Sequence, residues 1–290
     1  MKKKLLFVIN PISGGRRKSQ FPKKLAECLD HERFDYEIFW WEEVNSLDPA
    51  LSNFVQNGGD AIIAVGGDGT INHIAKFIVT KSPRIKLGII PQGSGNGLSR
   101  GIQIPMRVHK AIEVINRFKT ASLDIGLMNN RVFSNVAGCG FDALVTHSFA
   151  NSKKRGFWSY AKSIYSQFKY TRNLTVDVEI ESESIEHQAF IVSIANGVQW
   201  GNNFYVAPDA SNNDGELDIV LLNKPKLYQV SGLVKALYFR KETSLITRLR
   251  CKQAIIRMER PVYTHYDGEP AGKEQVLEVK LAANPVQVIC

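Results

Sequence analysis

Apolar residues in the first part of the chain come in short solid runs separated by amphipathic stretches. The run at 61–65 has no polar position, which predicts a strand buried on both faces, as in a parallel sheet. Behind it, Ile71, Ile74, Ala75 and Ile78 fall on one face of a helix. The alternation repeats elsewhere. Strands are predicted at 4–9, 34–41, 85–90 and 121–126, and helices up to about residue 29, at 47–56 and at 108–117. Such alternation predicts an α/β fold, a doubly wound parallel sheet whose ligands bind at the carboxyl ends of the strands.

After about Gly126 the period shortens to two. Short strands are predicted at 131–137, 174–181, 187–195, 217–222, 254–258, 262–266, 276–281 and 286–290, the grammar of an antiparallel β-sandwich. Helical stretches at 141–170 and 227–240 interrupt them. The expected division is a nucleotide-binding α/β domain at 1–126 and a β-sandwich domain at 127–290, and no repeat or low-complexity tract is present.

Three of the predicted strands run into glycine-rich turns. Gly66-Gly67-Asp68-Gly69-Thr70 places three glycines between a strand and a helix start, where main-chain N–H groups and the helix dipole favour an anion. A plain tight turn explains the glycines equally well, but not Asp68, which would repel a phosphate unless it serves a metal, a cation or a nucleophile. As an exposed loop carboxylate it is expected to contribute little to packing. Asn10-Pro11-Ile12-Ser13-Gly14-Gly15, followed by Arg16, Arg17 and Lys18, is a second candidate anion loop, and the turn from Pro91 through Gly93, Ser94, Asn96 and Gly97 is a third. All three would line one sheet edge. The strict nucleotide signatures are missing: there is no G-x-x-x-x-G-K-[ST], and Gly138-Cys139-Gly140-Phe141-Asp142-Ala143 satisfies G-x-G-x-x-A without a following βαβ unit.

Charge adds a preference for anionic partners. The 290 residues carry 37 Lys and Arg against 28 Asp and Glu, a net charge of +9. No nucleic-acid-binding motif accompanies it, so nucleic acid is not an expected partner. Cys28, Cys139, Cys251 and Cys290 are scattered without a C-x-x-C pair, which predicts reduced thiols and no zinc site. The basic, then apolar, start at 1–9 is too short for a signal peptide and reads as the first strand, and no run approaches the ~20 apolar residues of a membrane span. A cytoplasmic protein is expected.

The ordered set Asn10-Pro11-x-Ser13-Gly14, Gly66-Gly67-Asp68-Gly69-Thr70, Pro91-x-Gly93-Ser94-Gly95-Asn96, Gly140-Phe141-Asp142, Pro208-Asp209-Ala210 before Asp214-Gly215, and Asp267-Gly268-Glu269 spans nearly the whole chain. It resembles the diacylglycerol kinase catalytic-domain family, which includes sphingosine kinases and bacterial lipid kinases. The resemblance implies a lipid kinase that uses ATP and Mg²⁺, with nucleotide held between an α/β domain and a β-sandwich. It implies ATP contacts from Gly66, Gly67, Asp68, Gly69, Thr70, Ile71 and Asn72, and from the motif residues Asn10, Ser13, Gly14, Gly93, Ser94 and Asn96. Asp68 and Asp124 would belong to the catalytic Mg²⁺ network, and Glu269 would be the base that takes the proton of the lipid hydroxyl. Asp214 would hold a structural Mg²⁺ with the carbonyls of Ser211 and Glu216. Two departures stand out. Gly97 occupies a position where many bacterial members carry Asp, the Ser94-Gly95-Asn96 form being closer to sphingosine kinases, and Trp40 or Trp41 replaces a threonine that often follows the second strand.

The acceptor implied is diacylglycerol or a sphingoid base presented at a membrane surface, with peripheral attachment at the inner face and a homodimer left open. Segments 151–170 and 224–241 mix cations with aromatic and aliphatic residues, which suits either an anionic bilayer interface or amphipathic helices packed on the sandwich. Two other readings stand beside this one: a soluble-metabolite kinase of the NAD kinase type, and a catalytically weak lipid- or nucleotide-binding regulator.

Overall fold

The computed structural model describes residues 1–15, 18–150, 167–200 and 204–290. Contacts divide the chain into two compact units, Met1–Ile125 with Ala282–Cys290, and Gly126–Leu281.

In the first unit the order is β1 (Lys3–Ile9), α1 (Phe21–Cys28), β2 (Phe34–Trp40), α2 (Leu47–Gln56), β3 (Ala61–Gly66), α3 (Asp68–Lys81), β4 (Lys86–Pro91), α4 (Gly97–Gly101), α5 (Val108–Arg117) and β5 (Thr120–Leu123). β2, β1, β3 and β4 lie side by side and all parallel, with Leu5 to Ile9 of β1 facing Ala61 to Val65 of β3 in register. Every residue of β3 is buried, as its unbroken apolar run requires of a central strand. α3 lays Ile71, Ile74, Ala75, Phe77 and Ile78 inward. Trp41 follows β2 and packs its ring 4.9 Å from that of His73 on α3.

The second unit contains β6 (Gly126–Met128), β7 (Arg131–Phe133), β8 (Val136–Gly140), α6 (Phe141–Ala150), β9 (Leu174–Ile180), β10 (Glu183–Ala189), β11 (Ile191–Ala195), β12 (Leu217–Leu222), α7 (Val230–Tyr238), β13 (Ile246–Cys251), β14 (Gln253–Tyr266) and β15 (Glu269–Leu281). All pairings are antiparallel, in the order β13-β12-β11-β8-β14-β15-β6-β7, with β9 and β10 branching from β14. β14 explains how a sandwich arises from this connectivity. Its first half pairs with β9 and its second half with β8, and the register with β15 shifts between Arg257 and Val262, around Pro261. The separate strands predicted at 254–258 and 262–266 are thus two halves of one bent strand. Alternate residues such as Val176, Val178, Ile194, Ile219, Ile256 and Leu277 fill the core.

Two other expectations are corrected. The strand predicted at 131–137 breaks at Ser134 and Asn135, because the N–H groups of Ser134, Asn135 and Val136 turn away to the Asp267 carboxylate. More consequentially, the strand predicted at 286–290 does not belong to the sandwich. β16 (Val286–Ile289) lies in the first sheet between β4 and β5, parallel to the former and antiparallel to the latter. Its alternating apolar residues specify a strand but not a partner, and the open slot beside β4 buries Val286, Val288 and Ile289 almost completely. The four cysteines are free thiols. Of the long helix predicted at 141–170, α6 covers the start; residues 151–166 lie outside the described residues.

Since β16 completes the first sheet, Val288→Asp should destabilise that unit by about 3 kcal/mol or more, the cost of an unpaired buried charge. Hydrogen exchange on the variant checks this: protection should fall in β1, β3 and β4 and persist in β11, β12 and β14.

Candidate active site

The three glycine loops meet at the carboxyl ends of β1, β3 and β4. The amide of Asn10 donates to Thr70 Oγ1 at 3.2 Å, and the Gln92 N–H donates to the Gly66 carbonyl at 2.7 Å. A methyl group at Gly67 would sit 2.9 Å from the Gly93 Cα, and one at Gly93 would collide with Gly67 in return. These two positions therefore need glycine because two backbones touch. Gly14 needs it twice over: its φ is +66°, and a side chain there would strike the Gln92 carbonyl.

Asp68 is the strongest tie among the loops. Its Oδ2 accepts from the Gly97 N–H at 3.1 Å and its Oδ1 from the Leu98 N–H at 3.2 Å, so it caps α4 from another part of the chain. Burial raises its pKa and these amides pull the other way. The expectation of an exposed carboxylate with little packing role is therefore corrected. Gly97, the departure from the family pattern, gives one of the two amides. Asn96, with φ 51° and ψ 47°, holds the third loop's turn by accepting from the Gly93 N–H and donating to the Gly93 carbonyl, both at 2.9 Å.

Lys18 was grouped by its sequence with Arg16 and Arg17 as a basic helix start. Arg16 and Arg17 lie outside the described residues, but Lys18 is a buried clamp. Its ammonium donates to the Asn10 carbonyl (2.6 Å), the Ser13 carbonyl (2.7 Å) and Ser13 Oγ (2.6 Å), and burial lowers its pKa. Nothing in periodicity marks it, since it precedes α1 and acts backwards on its own loop. Among the remaining expected nucleotide contacts, Ser94 is exposed, Gly69 is half-buried and Ile71 is buried, leaving only its backbone for a ligand. Asn72 Oδ1 is buried with no partner, which leaves an acceptor free for a bound group. Asp124 follows β5 directly and is half-buried.

The second unit holds the other expected residues. Asp267 and Gly268, with φ of 49° and 81°, make the two-residue turn between β14 and β15. The Asp267 carboxylate accepts from the backbone N–H groups of Ser134, Asn135 and Val136 and from Ser134 Oγ, at 2.8–3.0 Å. Burial nevertheless pushes its pKa up to about 6. Glu269, by contrast, is exposed, and its carboxylate has no hydrogen bond or ion pair with the described residues. Asp142 of the fourth expected motif accepts from, or pairs with, buried His265 Nε2 at 3.0 Å, tying the start of α6 to β14. Gly138 and Gly140 lie in β8, against the carbonyls of Val192 and Phe190, so the G-x-G-x-x-A match reflects strand packing.

Asp214, the expected metal ligand, lies in a group of three carboxylates around one cation. Asp214, Glu216 and Asp218 face the Arg250 guanidinium at 3.6, 3.7 and 3.4 Å. A dication held by Asp214 and the carbonyls of Ser211 and Glu216 would share these carboxylates with the half-exposed Arg250 side chain, which as a single cation leaves them with an excess of negative charge. Among the described residues, no cluster of three or more His, Cys, Asp or Glu side chains is arranged for a metal.

Comparison with known proteins matches residues 4–128 to the diacylglycerol kinase catalytic domain and residues 135–290 to the YegS C-terminal NAD kinase beta sandwich-like domain. The chain belongs to the diacylglycerol kinase catalytic-domain family. It is 26% identical to a diacylglycerol kinase of Staphylococcus saprophyticus over 94% of this chain and 91% of the relative. The figure is 28% for a diacylglycerol kinase of Staphylococcus aureus, over 94% and 88%. A crystal structure of a diacylglycerol kinase from Bacillus anthracis superposes with a TM-score of 0.74 at 20% identity, covering 99% of this chain and 96% of that one. An NAD kinase from Archaeoglobus fulgidus in complex with ATP shares the fold more distantly, with a TM-score of 0.55 at 12% identity over 99% and 93%.

Family membership makes Asp68 a natural target, and its capping role sets what to expect. Asp68→Ala leaves two amides of α4 without their charged acceptor and should cost the first unit about 1.5–3 kcal/mol. Thermal unfolding and hydrogen exchange at residues 93–101 check this; unchanged protection there would overturn the capping role.

Proposed function

We propose that the chain is an ATP- and Mg²⁺-dependent lipid kinase that phosphorylates a lipid hydroxyl, with diacylglycerol or a sphingoid base as the acceptor class. The observation that carries this reading is the mutual packing of three glycine loops at one sheet edge. Close backbone contact leaves no room for side chains at Gly14, Gly67 and Gly93, and the start of α3 adds its dipole at the same place. Asn72 offers a buried acceptor, and Thr70 is held by Asn10.

Asp68 and Asp124 would hold Mg²⁺, which would supply charge neutralisation at the phosphate oxygens. Asp68 fits that task in part, because it is a carboxylate held in place by backbone amides at the meeting point of two glycine loops. Asp124 is assigned with it. Glu269 is assigned as the base: its carboxylate is exposed and unengaged by the described residues, while Asp267 beside it takes the structural load. A lipid alcohol is a weak nucleophile at neutral pH, and a placed proton acceptor typically contributes ~10²–10⁴-fold.

The distant likeness to an ATP-bound NAD kinase favours one alternative, a kinase for a soluble metabolite. Incubation with labelled ATP and either a total lipid extract or NAD separates the two. Label entering only NAD would overturn the lipid reading. For the base, Glu269→Gln should lower kcat by about 10²–10⁴ while ATP affinity stays near wild type. Loss of ATP affinity with kcat retained would instead make Glu269 a nucleotide contact.

Membrane presentation is part of the same reading. Around α7, Leu227, Tyr228, Val234, Tyr238 and Phe239 are exposed, flanked by Lys226, Lys235 and Lys241, while Ala236 and Leu237 are buried. The helix thus packs through one face and still presents apolar residues on another, which suits an anionic interface. No helix of the described residues is long and apolar enough to cross a membrane. Of the other candidate segment, residues 151–166 lie outside the described residues. Binding to anionic vesicles should weaken steeply with salt, since surface attraction decays over roughly 8–10 Å at physiological ionic strength. Equal binding to neutral and anionic vesicles at low salt would exclude an electrostatic dock.

A further inference from the structure

A cavity of about 510 Å³ opens within the second unit, between the start of α6, the segment leading into β9, and the bend of β14. Its volume falls in the range of small-molecule sites. Its lining is divided in character. Leu144, Leu174 and Val262 make an apolar wall, and Arg172, Arg260 and Lys273 bring three cations. Among the described residues no carboxylate lines the cavity, and Glu259 pairs with Arg260 at 3.5 Å. Lys273 lies over the Tyr263 ring at 4.8 Å, and His147 stacks on the same ring at 4.1 Å. The aromatic contact steadies one cation at the cavity wall without neutralising it.

Three like charges around one concavity repel each other. The arrangement is relieved by an anion, and guanidinium groups suit phosphate in particular. A free phosphate would use the cations and leave the apolar wall wet. A neutral glyceride would use the wall and leave the cations unpaired. We infer that this cavity binds the phosphate-bearing headgroup end of an anionic lipid, its first acyl carbons lying against Leu144, Leu174 and Val262. The lining residues all belong to the second unit and none is a glycine-loop residue, so the binding is tested without reference to phosphoryl transfer. It would give the chain a way to sense anionic lipid, as product or as bilayer component, while a neutral acceptor is handled elsewhere.

The test is binding to the full chain without nucleotide, followed by calorimetry, of three probes below their micelle concentrations: dihexanoyl phosphatidic acid, dihexanoyl phosphatidylcholine and inorganic phosphate. Phosphatidic acid should bind at least about tenfold more tightly than either of the others, since it alone satisfies both halves of the cavity. In the double variant Arg260→Gln, Lys273→Gln that preference should fall about tenfold or more, with the melting temperature as control for both exposed strand positions. Leu144→Trp, which fills the apolar side, should weaken phosphatidic acid and leave inorganic phosphate unchanged. Equal binding of phosphatidic acid and phosphatidylcholine overturns the proposal, as does full affinity in the double variant. Inorganic phosphate binding as tightly as the lipid reassigns the cavity to a free anion and equally overturns it.

Discussion

The contact on which the first unit's chemistry depends is the Asp68 carboxylate held between the Gly97 and Leu98 amides. A parallel sheet ends its strands side by side, but nothing in the sheet fixes how the loops beyond those ends sit. Here the second and third loops are locked by one charged acceptor, by the Gln92 to Gly66 bond and by glycine touching glycine. The first loop is locked by Lys18, which spends its donors on the carbonyls of Asn10 and Ser13 and on the Ser13 hydroxyl. A phosphate site built from backbone amides gains little if those amides move. Preorganisation is what these buried charges supply.

This gives Asp68 a double character. A residue that caps a helix and is also proposed to serve a metal network would be constrained in both geometry and charge, and burial already works against its ionised form. The two amides offset part of that cost, and a bound cation would offset more. A substitution there mixes a structural loss with a chemical one, so activity alone cannot assign its role.

How far the sequence made this legible depended on the kind of signal. The strand at 61–65 and the face of Ile71, Ile74, Ala75 and Ile78 were readable because burial on both faces or on one stripe writes itself into periodicity. The convergence of the loops was readable because three strands each ended in glycines. The place of β16 was not, since Val286, Val288 and Ile289 would suit a strand of either sheet, and chain order suggested the nearer one. Lys18 looked like one of three surface cations, and only the folded loop shows its ammonium turned inward. Arg250 carried no signal in sequence, because its carboxylate partners lie some thirty residues away or more on β12 and the loop before it.

The turn that carries Glu269 shows a division of labour between neighbouring carboxylates. Asp267 sits at positive φ, where Asp is tolerated, and gathers four donors from the 134–136 segment. That fixes the hairpin against β8 and interrupts the strand that period alone predicted there. Glu269, two residues on, inherits a fixed backbone but keeps a free side chain at the first position of β15. A carboxylate saturated with donors cannot readily take another proton's hydrogen bond, whereas one on a rigid turn with open lone pairs can. The motif therefore separates holding from the proposed reacting role: Asp267 fixes the turn, and Glu269, exposed beside it, keeps the capacity that the proposal asks of it.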